Sequence, residues 1–139
     1  MKKQQILIID GQGGKMGRQL AEALLSHRLS AEILVVGTNA IATANMLKAG
    51  SVQAATGENA VIVGSRRATV IAGPIGIVMA DALLGEITAP MAAAVAQSEA
   101  YKVLLPVNRC GHYIVGVGEQ SLSALITEAA EKIVEALQN

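Results

Sequence analysis

The chain has 139 residues, with 11 basic and 11 acidic side chains and no formal net charge at pH 7. This length predicts a single domain spanning residues 1–139, and the lack of a basic tract argues against a nucleic-acid partner. Hydrophobic residues make up 52% of the chain and charged residues only 16%, against roughly 25% charged residues in a typical domain. So few charges predict that part of the surface is covered in a homo-oligomer, most simply a homodimer.

The sequence is typical of a cytoplasmic protein. Its one cysteine excludes an internal disulfide, as expected in a reducing compartment. The start, MKKQQILIIDG, has no small-residue cleavage site, so we expect no signal peptide. The longest apolar tract, residues 68–85, contains Pro74 and Asp81 and predicts a strand and a buried helix rather than a membrane span. We therefore expect no membrane partner.

Strand and helix patterns alternate along the chain. The apolar runs predict strands at residues 5–10, 33–37, 52–55, 69–73 and 102–107, with a further short strand at 113–117. Helical spacing predicts helices at residues 15–27, 75–84 and 89–98. Three more helices are predicted from their caps: from Thr38 or Asn39 to Lys48, from Thr56 to Arg67, and from Ser121 to Leu137.

This alternation predicts an α/β fold, namely a doubly wound, mostly parallel sheet in one Rossmann-like domain. In such sheets, ligands bind beyond the carboxyl ends of the strands, where the strand order reverses. The loop that follows the first strand is therefore the first place to look for a site.

That loop lies in the stretch IIDGQGGKMGRQL, residues 8–20, where four glycines fall between a strand and a helix. Gly11 permits a tight turn, Gly13 or Gly14 lets the backbone approach a ligand, and Gly17 lets helix and strand pack closely. Free N–H groups at a helix start favour a phosphate group. The residues predicted to bind it are Gly11, Gln12, Gly13, Gly14, Lys15, Met16 and Gly17.

The loop departs from two familiar phosphate-binding patterns. The glycines fit G-x-x-G-x-x-G rather than G-x-G-x-x-G, and Met16 stands where a Walker A loop has Ser or Thr. The second strand ends in Gly-Thr-Asn, with neither an acid for a ribose nor a base beside Asn39 for a 2′-phosphate. The cofactor is therefore left open, with NAD(P) as one possibility. Asp10 would repel an anion unless its charge is neutralised or turned away.

Other strand ends should meet the glycine loop at the same edge of the sheet. The predicted contributors there are Thr38, Asn39, Gly73, Pro74, Asn108 and Arg109. We expect Arg109 to assist binding, either by pairing with a ligand anion or by neutralising Asp10. Glu86 is expected to face water or to cap a backbone group. Cys110 and His112 supply two ligands, fewer than a zinc site requires, so no metal is predicted.

Two resemblances bear on this interpretation. The loop sequence GQGGKMGRQL resembles the cofactor loop of dihydrodipicolinate reductases and, more loosely, that of prephenate dehydrogenases. A wider resemblance is carried by IIDGQGGKMG, GTNAIATANMLKAG, ATGENAVIV, GPIGIVMADALLGEITAPMA and PVNRCGHY. These blocks look like an uncharacterised family of short bacterial proteins, labelled as a domain of unknown function. The wider resemblance implies a single-domain cytoplasmic bacterial protein and no particular activity.

Three hypotheses about function follow. The first is a protein that binds a nucleotide or another small phosphate-bearing ligand at the glycine loop. The second is an NAD(P)-dependent reductase that acts as an oligomer, with a partner subunit completing the substrate pocket. The third is a structural or regulatory subunit whose loop holds no ligand.

Overall fold

The computed structural model describes residues 3–107 and 111–138. The strands are β1 (Gln5–Asp10), β2 (Glu32–Gly37), β3 (Gln53–Thr56), β4 (Val70–Pro74) and β5 (Tyr101–Leu105). The helices are α1 (Lys15–Ser26), α2 (Ala40–Leu47), α3 (Glu58–Arg67), α4 (Ala89–Gln97) and α5 (Leu122–Leu137), and a 3₁₀ turn covers Ile75–Val78. The predicted alternation of strands and helices is thus confirmed.

The strands form one parallel sheet in the order β3-β2-β1-β4-β5. The chain steps outward from β1 to β3, returns to the other side of β1 with β4, and steps outward again to β5. The strand order therefore reverses between β1 and β4. This is the doubly wound, Rossmann-like topology that the sequence predicts.

Helices cover both faces of the sheet and divide the interior into two apolar clusters. On one face, side chains of α1, α2 and α5 pack against alternate residues of β1, such as Ile6 and Ile8. On the other face, α3, α4 and residues 75–88 pack against Leu7 and Ile9. Both faces of β1 are buried because β1 is the central strand, which explains its continuous apolar sequence.

The prediction of a helix at residues 75–84 is wrong. Only one 3₁₀ turn forms there, and the chain then runs through irregular turns to the start of α4. Asp81, Leu83 and Leu84 have φ angles of +68°, +56° and +56°, which a right-handed helix does not use. Ile77, Leu83 and Ile87 are buried in the second apolar cluster. No helix in residues 3–107 and 111–138 is long and apolar enough to cross a membrane.

Two smaller predictions also need correction. Residues 113–117 are irregular with a turn at 115–116 and do not form a strand, and Gly116 has a φ angle of +86°, which extended strands do not use. Thr56 does not cap α3. The cap residue is Gly57, so no side chain caps this helix. The Thr56 hydroxyl lies instead 2.7 Å from the hydroxyl of Thr43.

Gly73→Ala is predicted to destabilise the protein, since a Cβ at position 73 would lie 2.3 Å from the carbonyl oxygen of Ile9 in β1. Overpacking of this kind costs about 1–3 kcal/mol of unfolding free energy. Urea unfolding should show the loss. The control is Gly118→Ala, where a Cβ meets no atom within 4 Å. Equal unfolding midpoints for the two variants would contradict this account of the β1–β4 contact.

Candidate functional site

The loop between β1 and α1 is a tight turn that ends in the helix. The N–H of Gly14 donates to the carbonyl oxygen of Gly11 at 2.9 Å, and the N–H of Arg18 donates to the Gly14 carbonyl oxygen at 3.0 Å. Gln12 and Gly14 have φ angles of +52° and +73°. The chain therefore reverses direction within a few residues and enters α1 at the carboxyl end of β1.

The carboxylate of Asp10 accepts two hydrogen bonds from the backbone of this loop. Its Oδ1 accepts the N–H of Gly11 and its Oδ2 accepts the N–H of Gly17, each at 2.8 Å. The side chain is buried, with 5% of its surface exposed. The two hydrogen bonds of Asp10 thus fix both ends of the turn. Asp10 therefore has a structural role in the loop.

The space around the loop glycines differs from one position to the next. A Cβ at Gly14 would lie 2.5 Å from the carbonyl oxygen of Ala42 in α2, and a Cβ at Gly17 would lie 2.9 Å from Cβ of Asp10. Both positions therefore permit the close packing of α1. A Cβ at Gly13 would meet no atom within 4 Å. Gly13 is therefore the glycine at which a ligand has open access, whereas Gly14 is enclosed by α2.

The start of α1 leaves backbone donors without an acceptor. Within the described ranges, no hydrogen bond uses the N–H of Gly13, Lys15 or Met16. The helix has no side-chain cap and no acidic residue in its first turn. The Lys15 side chain is exposed and adds a positive charge at the same place. Unpaired N–H groups at the positive end of a helix dipole attract anions.

A second carboxylate, that of Glu86, reaches the loop from the opposite face of the sheet. Its Oε1 accepts hydrogen bonds from the N–H of Gln12 at 2.8 Å, the hydroxyl of Thr38 at 2.5 Å and the amide of Asn39 at 3.1 Å. The Asn39 amide also donates to the carbonyl oxygen of Gln12 at 3.0 Å. Thr38 and Asn39 are therefore brought to the loop as predicted. Glu86 joins them, and of its two expected roles it takes the second, because it accepts the backbone N–H of Gln12.

An unusual backbone segment positions Glu86. Asp81, Leu83 and Leu84 have φ angles of +68°, +56° and +56°, and Gly85 follows at +86°. A residue other than glycine costs roughly 1–2 kcal/mol in this left-handed region. Leu83 is 2% exposed while Leu84 is 92% exposed. Burial of Leu83 in the second apolar cluster thus holds the turn, and the turn directs Glu86 to the glycine loop.

A surface cleft of about 280 Å³ runs along the loop, lined by residues 10–16 together with Val107 and Leu122. It opens at the carboxyl end of β1, where the strand order reverses, which is the usual place of a ligand in this topology. A larger concavity of about 810 Å³ lies at the other edge of the sheet, beside Arg28 and Ser30 after α1. The carbonyl end of a helix disfavours an anion there.

The remaining predicted site residues fall into two groups. Gly73 and Pro74 lie at the carboxyl end of β4, on the same edge as the loop, but both are buried. Gly73 has a packing reason in its contact with β1. Asn108 and Arg109, together with Cys110, lie outside the described residues. Within the described residues, no group of three or more His, Cys, Asp or Glu side chains could hold a metal ion.

The strand order and the glycine turn before α1 define a doubly wound, Rossmann-like protein. Residues 5–138 match the family described as "Domain of unknown function (DUF3842)", so the chain belongs to that family. This confirms the wider resemblance of the sequence blocks. Neither a curated protein nor a solved structure matches the chain. The likeness of the loop to dihydrodipicolinate reductases stays a sequence-based prediction.

The acid–base behaviour of Asp10 gives a prediction for stability. Burial raises the pKa of Asp10 above its ordinary value of 3.8; hydrogen bonds from Gly17 and Gly11 act in the opposite direction, and the charge of Glu86 adds to the rise. The folded state therefore binds the proton more tightly than the unfolded state. The resulting stability is fully present below the unfolded pKa and is lost as the pH rises through the folded pKa.

Accordingly, lowering the pH from about 7 to about 4 should increase the free energy of unfolding of the wild type relative to Asp10→Asn. Urea unfolding of both proteins across this range measures the difference and cancels the titration of the other carboxylates. A difference that stays constant, or that shrinks on acidification, would show that burial does not govern the ionisation of Asp10.

Proposed function

We propose that this protein binds the phosphate group of a nucleotide or a related small molecule at residues 11–17. The proposal depends on one observation: in the part of the chain that the structure describes, no group accepts the N–H groups of Gly13, Lys15 and Met16, which lie beside an open cleft. A phosphate group has the oxygens to accept several such donors at once. The exposed ammonium group of Lys15 would add a charge of the right sign.

The rigidity of the loop supports the proposal further. The Asp10 hydrogen bonds to Gly11 and Gly17 fix the turn, and the side-chain amide of Asn45 donates to the carbonyl oxygen of Gly13 at 2.9 Å. The unpaired donors therefore need little ordering when a ligand arrives, and preorganisation of this kind increases affinity. We place the protein in the cytoplasm, where nucleotides and phosphorylated metabolites are the ligands to test, NAD(P) among them.

Gly13→Asp should weaken binding of inorganic pyrophosphate and of ADP, because it places a negative charge beside the proposed phosphate position. Gly13→Asn has nearly the same shape without the charge, so it is the matched control at the same residue. We expect the Asp variant to bind at least about tenfold more weakly than the Asn variant, which is roughly 1.4 kcal/mol. Isothermal titration calorimetry measures both.

Space at position 13 makes this experiment interpretable. A Cβ there meets no atom within 4 Å, so both variants should unfold at the wild-type urea concentration. Equal affinities of the Asp and Asn variants would contradict phosphate binding at the loop. Failure of the wild type to bind pyrophosphate, nucleotides or phosphosugars would instead favour a structural or regulatory subunit.

We also propose a homo-oligomer, most simply a homodimer. The mostly apolar stretch at residues 75–98 is not by itself evidence for the interface, because the domain itself covers much of it, with Leu83, Ile87 and Val95 buried. Support now comes from large apolar side chains on the surface, of which Leu84, Tyr113 and Val115 are 92%, 80% and 86% exposed. Where such side chains form a contiguous patch, they are typical of protein interfaces.

Sedimentation velocity at micromolar concentration should give a mass above that of the 14.3 kDa chain. Burial of exposed apolar side chains between subunits is the expected driving force. Val115→Ser, which removes apolar surface from a described turn, is a variant that should shift the equilibrium toward monomer if the turn lies in the interface. A wild type that sediments only as a monomer would contradict the proposed oligomer.

A further inference from the structure

The contacts of Glu86 define a position for a second part of the ligand. All three hydrogen bonds described above converge on Oε1. Its other oxygen, Oε2, accepts no hydrogen bond from any residue in the ranges 3–107 and 111–138. The side chain is neither buried nor fully exposed. The Glu86 carboxylate is thus held firmly by one oxygen while the second oxygen stays free to accept.

The position of Glu86 in the fold indicates what kind of group its free oxygen could bind. Thr38 directly follows the last residue of β2, the strand beside β1. In Rossmann-like domains that bind a nucleoside, the ribose lies at this strand end and its hydroxyls donate to an acidic residue there. Here β2 is followed by Thr-Asn, with no acid. Glu86 brings a carboxylate to that position in space from a distant part of the chain.

We propose that Glu86 binds the ribose of the ligand, so that the ligand is a nucleoside phosphate with free 2′ and 3′ hydroxyls. This inference rests on the proposed phosphate binding at the glycine loop. It narrows the ligand class, because inorganic phosphates and most phosphosugars lack the nucleoside that this arrangement would recognise. It also disfavours a nucleotide with a 2′-phosphate, since that group would meet the Glu86 carboxylate.

The charge state of Glu86 is consistent with this role. Burial is the largest influence and acts to raise the pKa of Glu86, but the hydrogen bonds from Thr38, Gln12 and Asn39 together outweigh it and lower the pKa below its ordinary value of 4.5. The group is therefore an ionised carboxylate at neutral pH, which accepts hydrogen bonds and donates none. Hydroxyl groups are its natural partners, whereas phosphate oxygens are repelled.

The charge of Glu86 makes the two ends of the loop electrostatically different. Gln12 donates to Glu86, so this end carries a fixed negative charge. Among the described residues, nothing accepts the N–H groups of Gly13, Lys15 and Met16, and Lys15 lines the cleft there. A ligand with a hydroxyl-rich part and an anionic part separated by a short spacer matches this pattern. A nucleoside 5′-diphosphate has both parts in that order.

The experiment compares inorganic pyrophosphate with ADP, GDP, CDP and UDP by isothermal titration calorimetry, together with the 2′-deoxy form of the tightest-binding diphosphate. The wild type should bind one ribonucleoside diphosphate at least tenfold more tightly than its 2′-deoxy form. Glu86→Gln should weaken that ribonucleotide and strengthen pyrophosphate, so that the ratio of their affinities falls at least tenfold. Glu131→Gln, on the exposed side of α5, should leave the ratio unchanged.

Each outcome separates this inference from the proposed function. Pyrophosphate binding without any preference for ribonucleotides over deoxyribonucleotides would overturn the ribose role and leave phosphate binding in place. An equal rise in affinity for all phosphate ligands in Glu86→Gln would also overturn it, because Glu86 would then act only as a competing anion. Absence of binding by every probe would overturn both proposals.

Discussion

The geometry of the whole site depends on one interaction, the pair of hydrogen bonds from the Gly11 and Gly17 N–H groups to the Asp10 carboxylate. Asp10 ends the central strand, and its position is fixed by its pairing with Gly37 of β2. Because its two oxygens bind the first and last glycines of the loop, the turn between them cannot relax. The carboxylate thus serves the protein's own backbone, and the donors between the two anchor points are left for another acceptor.

Two acids lie close to the same loop, and their surroundings give them opposite properties. Asp10 is buried and its pKa is raised, whereas hydrogen bonds lower the pKa of the more accessible Glu86. Divergent environments for neighbouring carboxylates commonly accompany divergent roles. Here one acid belongs to β1, and the other belongs to the segment between β4 and α4. Segments on both faces of the sheet therefore hold the loop in place, although α1, which follows the loop, packs on one face only.

Local patterns were sufficient for the sheet, for most of the helices and for the glycine loop, because apolar runs and helix caps depend on near neighbours. They failed at residues 75–88, where burial of Leu83 and Ile87 imposes a left-handed turn that no local preference favours. Glu86 was missed for the same reason. A topological argument would have found it, since every loop that follows a parallel strand lies at the carboxyl edge. The cap of α2 was narrowed to Thr38 or Asn39 because capping is local, and the structure shows that it is Asn39.

The position of α5 after all five strands affects how the chain folds during synthesis. Its residues Ile126, Ala129 and Ile133 cover the same face of the sheet as α1, and Leu137 receives a hydrogen bond from the side chain of Gln4. During synthesis, all five strands leave the ribosome before this helix does. The apolar face of the sheet that α5 covers therefore stays uncovered until α5 has been synthesised. Chaperone capture, or early contact between neighbouring nascent chains, would be concentrated in that interval.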